Sequence, residues 1–339
     1  MTTQKHIAVL MGGESLEHDI SLKSGSGVAA ALDREAYTVT PVVISRAGRW
    51  SFDGGPEVGF AEAGARLAGV GVDAVFLALH GTCGEDGRIQ GFLDLLRLPY
   101  TGSGCAASAL AMDKIRCKTV VEAQGIRVAG HLALNRPTWA VSAGEVREAV
   151  AEDLGYPCVV KPSRQGSSFG VTIVRDAAGL DAAMTAAFEA DEEVMVEQYV
   201  AGREVTCAVL DTDPGGRLQS LPVTEIRPKS GAFFDFEAKY TAGACDEITP
   251  ADLPPETADA VAEMAAHAHE IVGCAGWSRS DFIVGPEGPV WIEINTIPGL
   301  TPTSLFPQAA AAVGISYGQL AGLLIEDALR RAARMGATH

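Results

Sequence analysis

The sequence predicts an α/β chain in which a parallel, doubly wound sheet comes first and two α+β units follow. Apolar strands alternate with helical stretches up to about residue 103, the pattern of βαβ units. Beyond it, CVVKPSRQGSSFGVTIV (158–174) reads as two strands around a glycine-rich turn, and WSRSDFIVGPEGPVWIEIN (277–295) as a longer hairpin. At 339 residues the chain exceeds one ordinary core and fits two or three domains, for which we expect boundaries at 1–103, 104–200 and 201–339.

In order, HIAVLMGG (6–13) is a buried strand ended by glycines, and the stretch after it has helical spacing with Ser15 as candidate N-cap. TVTPVVIS (38–45) and AVFLALHG (74–81) are further strands, GARLAGVGVDA reads as a mobile surface stretch, and IQGFLDLLRL (89–98) as a helix. The second unit has a helical run over 105–125, a helix near 178–190 and a strand at VMVEQYV (194–200). The third has strands at EVTCAVL (204–210) and SLPVTEI (220–226), a loop at 228–250, a helix at 255–273, the hairpin, and a closing helix near 316–334.

Composition narrows the function classes. Net charge is −17, which repels nucleic acid and anionic membranes, so an anionic ligand needs a local basic cluster. No run approaches the 18 apolar residues of a membrane span, and no leader pattern opens the chain. Seven scattered cysteines with no C-x-x-C read as reduced thiols in cytosol.

Several constellations carry chemistry. If the 277–295 hairpin turns at Glu287, Asp281 lies opposite Glu293 and Arg279 opposite Asn295, with Phe282, Val284, Val290, Ile292 and Ile294 on the core face. Two carboxylates and an amide oxygen suit Mg²⁺; a solvated sheet face with cross-strand ion pairs is the competing account. KPSRQGSSFG (161–170) is no Walker A, yet its glycines, Ser167, Ser168 and Lys161 could approach phosphate; a flexible turn is the alternative. Glu197 and Glu204 in VEQYVAGRE suit a ribose or a purine amine. Lys114 in AMDK sits on a helical stretch and, on its own, reads as a solvated surface lysine. Glu17 sits where open α/β sheets bind ligands, although an acid at a helix start also serves the dipole. His18 reads as a local hydrogen-bonding residue and His80 as the better site candidate. GSGVAA and GSGCAA imitate dinucleotide fingerprints out of context.

Taken in order, GGESLEHDIS, ALHGTCGEDGRIQG, PYTGSG, SALAMDK, VVKPSRQGSSFG, FDFEAKY, GWSRSDF and EINTIPGLTPTSLFP resemble the D-alanine–D-alanine ligase family of the ATP-grasp superfamily over nearly the whole chain. The resemblance implies a three-domain ATP-grasp architecture, with ATP between the central and C-terminal sheets. It implies that Lys114 and Lys161 meet phosphates, with Ser168 in the loop above them and Lys239 in a second closing loop. Glu197, Tyr199, Val200 and Glu204 would contact adenine and ribose. Asp281, Glu293 and Asn295 would hold two Mg²⁺ ions, for which Mn²⁺ could substitute. Glu17 would receive the ammonium of the first D-alanine, with Ser167 and Tyr240 as its hydrogen-bonded partners and His80 as a further substrate residue. Arg279 and the Gly299 N–H would form the oxyanion site, and Ser304 with the Leu305 backbone would clamp the second carboxylate.

The implied reaction passes through an acyl phosphate, which water destroys, so loops 163–170 and 228–245 are expected to close as lids. The expected setting is cytoplasmic peptidoglycan precursor synthesis by a homodimer. Same-fold ligases using D-lactate or D-serine are the nearest alternative, and Tyr240 in place of the His common in lactate-forming relatives favours the dipeptide. A regulatory protein that has lost catalysis would lack a metal ligand or Arg279, and none is missing. An NAD-dependent oxidoreductase would need a fingerprint that GGESLE does not supply.

Overall fold

The computed structural model describes residues 4–166, 169–229 and 245–336. Its strands form three sheets among the described residues. In the first, β1 (Lys5–Gly12), β2 (Tyr37–Ile44), β3 (Trp50–Phe52) and β4 (Ala74–Leu77) take the order β3-β2-β1-β4. β1 lies parallel to β2 and β4, and the short β3 runs antiparallel to β2. Ile7 to Leu10 are all 0% exposed, because helices and the rest of the chain cover both sides of this strand. α1 (His18–Ala31), α2 (Phe60–Gly69) and α3 (Arg88–Leu95) belong to this part of the chain.

The expected loose stretch at 64–74 is instead mostly α2. Ala63 and Leu67 are buried on one side of it, and Gly64 lies so close to Phe92 that a Cβ there would stand 3.0 Å from the ring. α1 begins at His18, with Glu17 rather than Ser15 in the N-cap position. Ser15 Oγ donates to the His80 carbonyl and accepts from the Glu17 N–H, so it ties the helix entry to the loop after β4.

The helical run at 105–125 is two helices, α4 (Cys105–Met112) and α5 (Lys114–Ala123). Between them Asp113 is extended and its carboxylate accepts from the Arg116 N–H, the N-cap arrangement. The second sheet, in the order β5-β8-β6-β7, joins β5 (His131–Asn135), β6 (Cys158–Pro162), β7 (Thr172–Val174) and β8 (Glu193–Gln198), all antiparallel. α6 (Arg136–Ala149) and α7 (Leu180–Ala190) close its apolar face through Val146, Leu180, Met184 and Phe188.

The third sheet runs β12-β11-β9-β13-β14, from β9 (Arg203–Asp211), β11 (Thr224–Pro228), β12 (Cys245–Ile248), β13 (Gly276–Gly285) and β14 (Gly288–Asn295), with β10 (Gln219–Ser220) on β9. The single strand expected at 220–226 is thus interrupted around Pro222, which has no N–H to give a ladder. α8 (Pro255–Val272) covers this sheet, and α4 and α5 add Ala107, Cys117 and Val121 to its core. α9 (Leu305–Ala312) and α10 (Tyr317–Gly336) return to the first core through Phe306, Leu320 and Leu324. No single helix among the described residues is long and apolar enough to cross a membrane. All seven cysteines are thiols.

Candidate active site

The hairpin register is the expected one where it matters: Asp281 faces Glu293 and Arg279 faces Asn295. A bulge after Asp281 then pairs Phe282 with Trp291 and Ile283 with Val290, so Ile292 is the extra residue. Trp291 and Ile294 take the core positions with Phe282, while Ile292 is half-buried and Val290 moves to the other face. Side chains alternate along strands, so the pairing defines one ligand-bearing face. On it lie three cross-strand rows: Glu204, Ile283 and Val290; Thr206, Asp281 and Glu293; Ala208, Arg279 and Asn295.

Asp281, Glu293 and Arg279 on that face each have a counter-charge. Asp281 accepts from Arg279 Nε and Nη2 at 2.8 and 2.9 Å and from Thr206 Oγ1 at 2.8 Å, and Asn295 Nδ2 lies 3.3 Å from it. Burial alone would lower the Arg279 pKa, but the Asp281 carboxylate beside it raises it, so the guanidinium stays charged. Lys114, at the start of α5, stands 3.3 Å from Glu293 Oε2 and donates to the Gln165 carbonyl at 2.7 Å. Among the described residues no three His, Cys, Asp or Glu side chains converge on one point. The oxygen set is therefore two carboxylates and an amide on one rigid sheet face. That donor chemistry fits Mg²⁺, which leaves its other positions to phosphates and water.

A second charged group lies where the second and third sheets meet. Glu197, on β8, is 3% exposed; Lys161, on β6, donates to Oε2 at 2.6 Å, and Lys118, on α5, donates to Oε1. Burial would raise the Glu197 pKa, but the charges of Lys118 and then Lys161 hold it down at about 2. Tyr199 and Val200 follow in the half-buried crossing to β9. This crossing packs directly on β13 because a Cβ at Gly202 would overlap the Val284 carbonyl.

The third cluster belongs to the first unit and the 297–305 loop. Glu17, with Ser15, Thr82, Cys83 and Gln165, lines a cleft of ≈ 310 Å³. Glycines frame its carboxylate, since a Cβ at Gly81 or Gly166 would stand 2.6 or 3.0 Å from Oε2. His80 is buried and its pKa lowered by that burial, so the ring is neutral. Its Nδ1 lies 3.2 Å from the Ile297 carbonyl, which only accepts, so Nδ1 carries the proton and Nε2 accepts from the Ser24 hydroxyl at 2.9 Å. Both ring nitrogens are thereby committed to protein partners. His18 is the local hydrogen-bonding residue expected, 2.6 Å from the Gly13 carbonyl. Ser304 is the N-cap residue of α9 and Leu305 its first turn, while Ser304 Oγ accepts from Thr301 N at 3.0 Å. A Cβ on Gly299 would stand 3.1 Å from Ser304 Oγ, so glycine lets this loop fold tightly.

Ser167, Ser168, Lys239 and Tyr240 lie outside the described residues, as do most of the expected 228–245 lid and the centre of the 163–170 lid. Two residues absent from the sequence reading enter the site. Glu85 accepts from Gly81 N at 2.8 Å and Ile297 N at 3.2 Å, joining the first unit to the 297–305 loop, and burial with Glu17 nearby pushes it up to about 8. Lys118 was signalled by its place four residues after Lys114, one helical turn along the same face.

Comparisons with known proteins agree with this layout. The family models described as D-ala D-ala ligase N-terminus and C-terminus match residues 6–69 with 53–103, and 120–326. The D-alanine–D-alanine ligase of Syntrophotalea carbinolica is 42% identical over 97% of each chain. That of Methylorubrum extorquens is 45% identical over 96% of this chain and 98% of its own. Among solved structures, the VanG D-Ala:D-Ser ligase of Enterococcus faecalis superposes with a TM-score of 0.85 at 35% identity, covering 96% of this chain and all of that one. The Bacillus anthracis D-alanine–D-alanine ligase complexed with ATP does so with 0.80 at 31% identity, covering 98% of this chain and all of that one. With both family models matched and the ATP-grasp sheets in place, the chain belongs to the D-alanine–D-alanine ligase family.

Proposed function

We propose that this chain joins two D-alanines into D-alanyl-D-alanine for peptidoglycan precursor synthesis, converting ATP to ADP and phosphate through an acyl phosphate. The observation that carries this reading is the row Thr206–Asp281–Glu293, flanked by Arg279 and Asn295 and faced by Lys114, in a chain of this family. Lys114 and Lys161 bind phosphates, with Ser168 and Lys239 on the closing loops. Glu197, Tyr199, Val200 and Glu204 bind adenosine, and Ile283 and Val290 lie in the same row as Glu204. Asp281, Glu293 and Asn295 hold Mg²⁺, which supplies charge neutralisation at the transferring phosphoryl group.

On the amino-acid side, Glu17 receives the first ammonium, supported by Ser167 and Tyr240, and His80 acts at one remove by fixing the Ile297 carbonyl. The first D-alanine's carboxylate oxygen attacks the γ-phosphorus and ADP leaves. The second D-alanine, deprotonated, then attacks the acyl carbon, and the tetrahedral adduct expels phosphate. Arg279 and the Gly299 N–H stabilise the oxyanion, and Ser304 with the N-terminus of α9 at Leu305 holds the acceptor carboxylate.

The three sheets support domains at 1–103, 104–200 and 201–339, with α4 and α5 lending apolar side chains to the third core. A cytoplasmic homodimer is carried by the family resemblance, and light scattering checks the assembly. D-serine as acceptor is the second reading, favoured by the match to the D-Ala:D-Ser ligase. Incubating the protein with ATP, Mg²⁺ and D-alanine, alone or with D-serine or D-lactate, and identifying products by mass separates the two. No dipeptide from D-alanine alone removes the first reading.

A further inference from the structure

Lys118 is 0% exposed, yet it reaches no ligand-facing surface. Its ammonium donates to Glu197 Oε1 and lies 5.8 Å from the centre of the Trp291 ring, while Lys161 occupies the other carboxylate oxygen at 2.6 Å. One carboxylate thus holds two lysines, although a single cation would neutralise it. A buried carboxylate stripped of its counter-ion is strongly unfavourable. If Lys161 were its sole partner, Lys161 could not turn to a phosphate without leaving Glu197 uncompensated.

We propose that Lys118 is a positioning residue for nucleotide binding: as the standing counter-ion of Glu197, it releases the charge of Lys161 to the phosphates. The site on α5 suits the task. Lys114 and Lys118 are one turn apart on the same helical face, so α5 presents one lysine to Glu293 and the Gln165 carbonyl and buries the other against Glu197. Cys117 and Val121, packed in the third core on either side of Lys118 in the helix, fix its backbone. Removing the Lys118 charge leaves Glu197 to hold Lys161 more tightly and also lowers the positive charge around the phosphate site. The first effect dominates, because it engages the lysine that meets the phosphates while Lys118 itself is held away on Glu197; neither effect touches the amino-acid sites around Glu17 and Ser304.

The proposal rests on the reading of Lys161 as a phosphate lysine, and the test separates the two. The full-length protein and its Lys118→Met, Lys161→Met, Glu197→Gln and Lys118→Met/Glu197→Gln variants are titrated with ADP and Mg²⁺ by calorimetry, with steady-state KM for ATP and D-alanine and the melting temperature. Lys118→Met is expected to weaken ADP binding and raise the ATP KM about tenfold or more, with the D-alanine KM within about twofold, as loss of one buried ion-pair partner implies. With the carboxylate also removed, Lys161 has nothing to hold it, so the double variant is expected to bind ADP within about threefold of Glu197→Gln alone. A merely structural role would lower the melting temperature and raise both KM values together. Lys118→Met with unchanged ADP affinity, or a double variant about tenfold weaker than Glu197→Gln, overturns the proposal. If Lys118→Met does not fold, this second comparison decides, because the double variant carries no uncompensated carboxylate. Unchanged ADP affinity in Lys161→Met overturns the reading of Lys161 itself.

Discussion

Glu197 and Glu85 are both buried carboxylates of the candidate site, and their surroundings push them in opposite directions. Glu197, on the nucleotide side, has Lys118 and Lys161 on its two oxygens and is held at about 2. Glu85, on the amino-acid side, is pushed up to about 8 by burial and then by the like charge of Glu17, against two backbone N–H groups that hold it down. The same side chain serves as a fixed anion in one place and as a protonatable tie between two loops in the other. Burial pushes both carboxyls up, and only where two lysines stand on the oxygens is that push overcome.

The largest effect that sharpens this contrast is expected at Glu293, where the nucleotide side meets the chemistry. Glu293→Gln keeps the size and the sheet register but loses the anionic oxygen that faces Lys114. It should lower kcat about 10²–10³-fold or more, the scale of removing one preorganised electrostatic group. Circular dichroism should remain unchanged, and near-normal turnover would remove the metal assignment. On the other side, Glu85→Gln keeps one acceptor for two backbone N–H groups and so releases either Gly81 or Ile297. An unpaired buried group costs roughly 1–3 kcal/mol, so the D-alanine KM is expected to rise roughly 5–150-fold with the ATP KM nearly unmoved. A variant that raised the ATP KM instead would break the division between the two sides.

The two glutamates should also tilt the stability–pH curve in opposite senses. Glu85 binds its proton more tightly in the folded chain, so its contribution is present below about 4.5 and is lost as pH rises through about 8. Glu197 binds its proton less tightly when folded, so its contribution is present above about 4.5 and is lost as pH falls towards about 2. Urea melts across this range should show Glu85→Gln flattening the neutral limb and Glu197→Gln flattening the acid limb. Equal slopes in wild type and variant on either limb would refute the corresponding environment.

How much of this was legible in the sequence follows from the range over which each contact acts. The facing of Asp281 with Glu293 was readable because a hairpin's register follows from its turn and the two-residue period of its strands. The bulge after Asp281 was not, since nothing in FIVGPEGPVWIE announces an extra residue; hence Val290 was expected in the core and Ile292 in the place that Trp291 takes. The break at Asp113 carried a local cap signal inside an otherwise helical run, and that run hid it. The spacing from Lys114 marks the helix face of Lys118, but Lys118 and Glu85 act through partners 79 and 212 residues away, and no local pattern names those partners. The family resemblance supplied ligand roles for residues with ordered motifs, but it named neither of these two.

The smallest expected effect tests whether the neutral group beside a charged pair matters as much as the charges. Thr206 is 3% exposed, lies in the row of Asp281 and Glu293, and donates to Asp281 Oδ1 at 2.8 Å in addition to the guanidinium of Arg279. Thr206→Val preserves shape and the branched strand side chain while deleting this donor. A hydrogen bond to a charged acceptor is worth about 1.5–3 kcal/mol, but Arg279 already compensates Asp281, which places the loss at the lower end of that range. Turnover at saturating substrate should therefore fall only about tenfold, with the melting temperature lowered by a few degrees. If Thr206→Val were as damaging as Glu293→Gln, Asp281 would depend on the hydroxyl for its orientation more than on Arg279, and the ligand face would be set by β9 rather than by the β13–β14 hairpin.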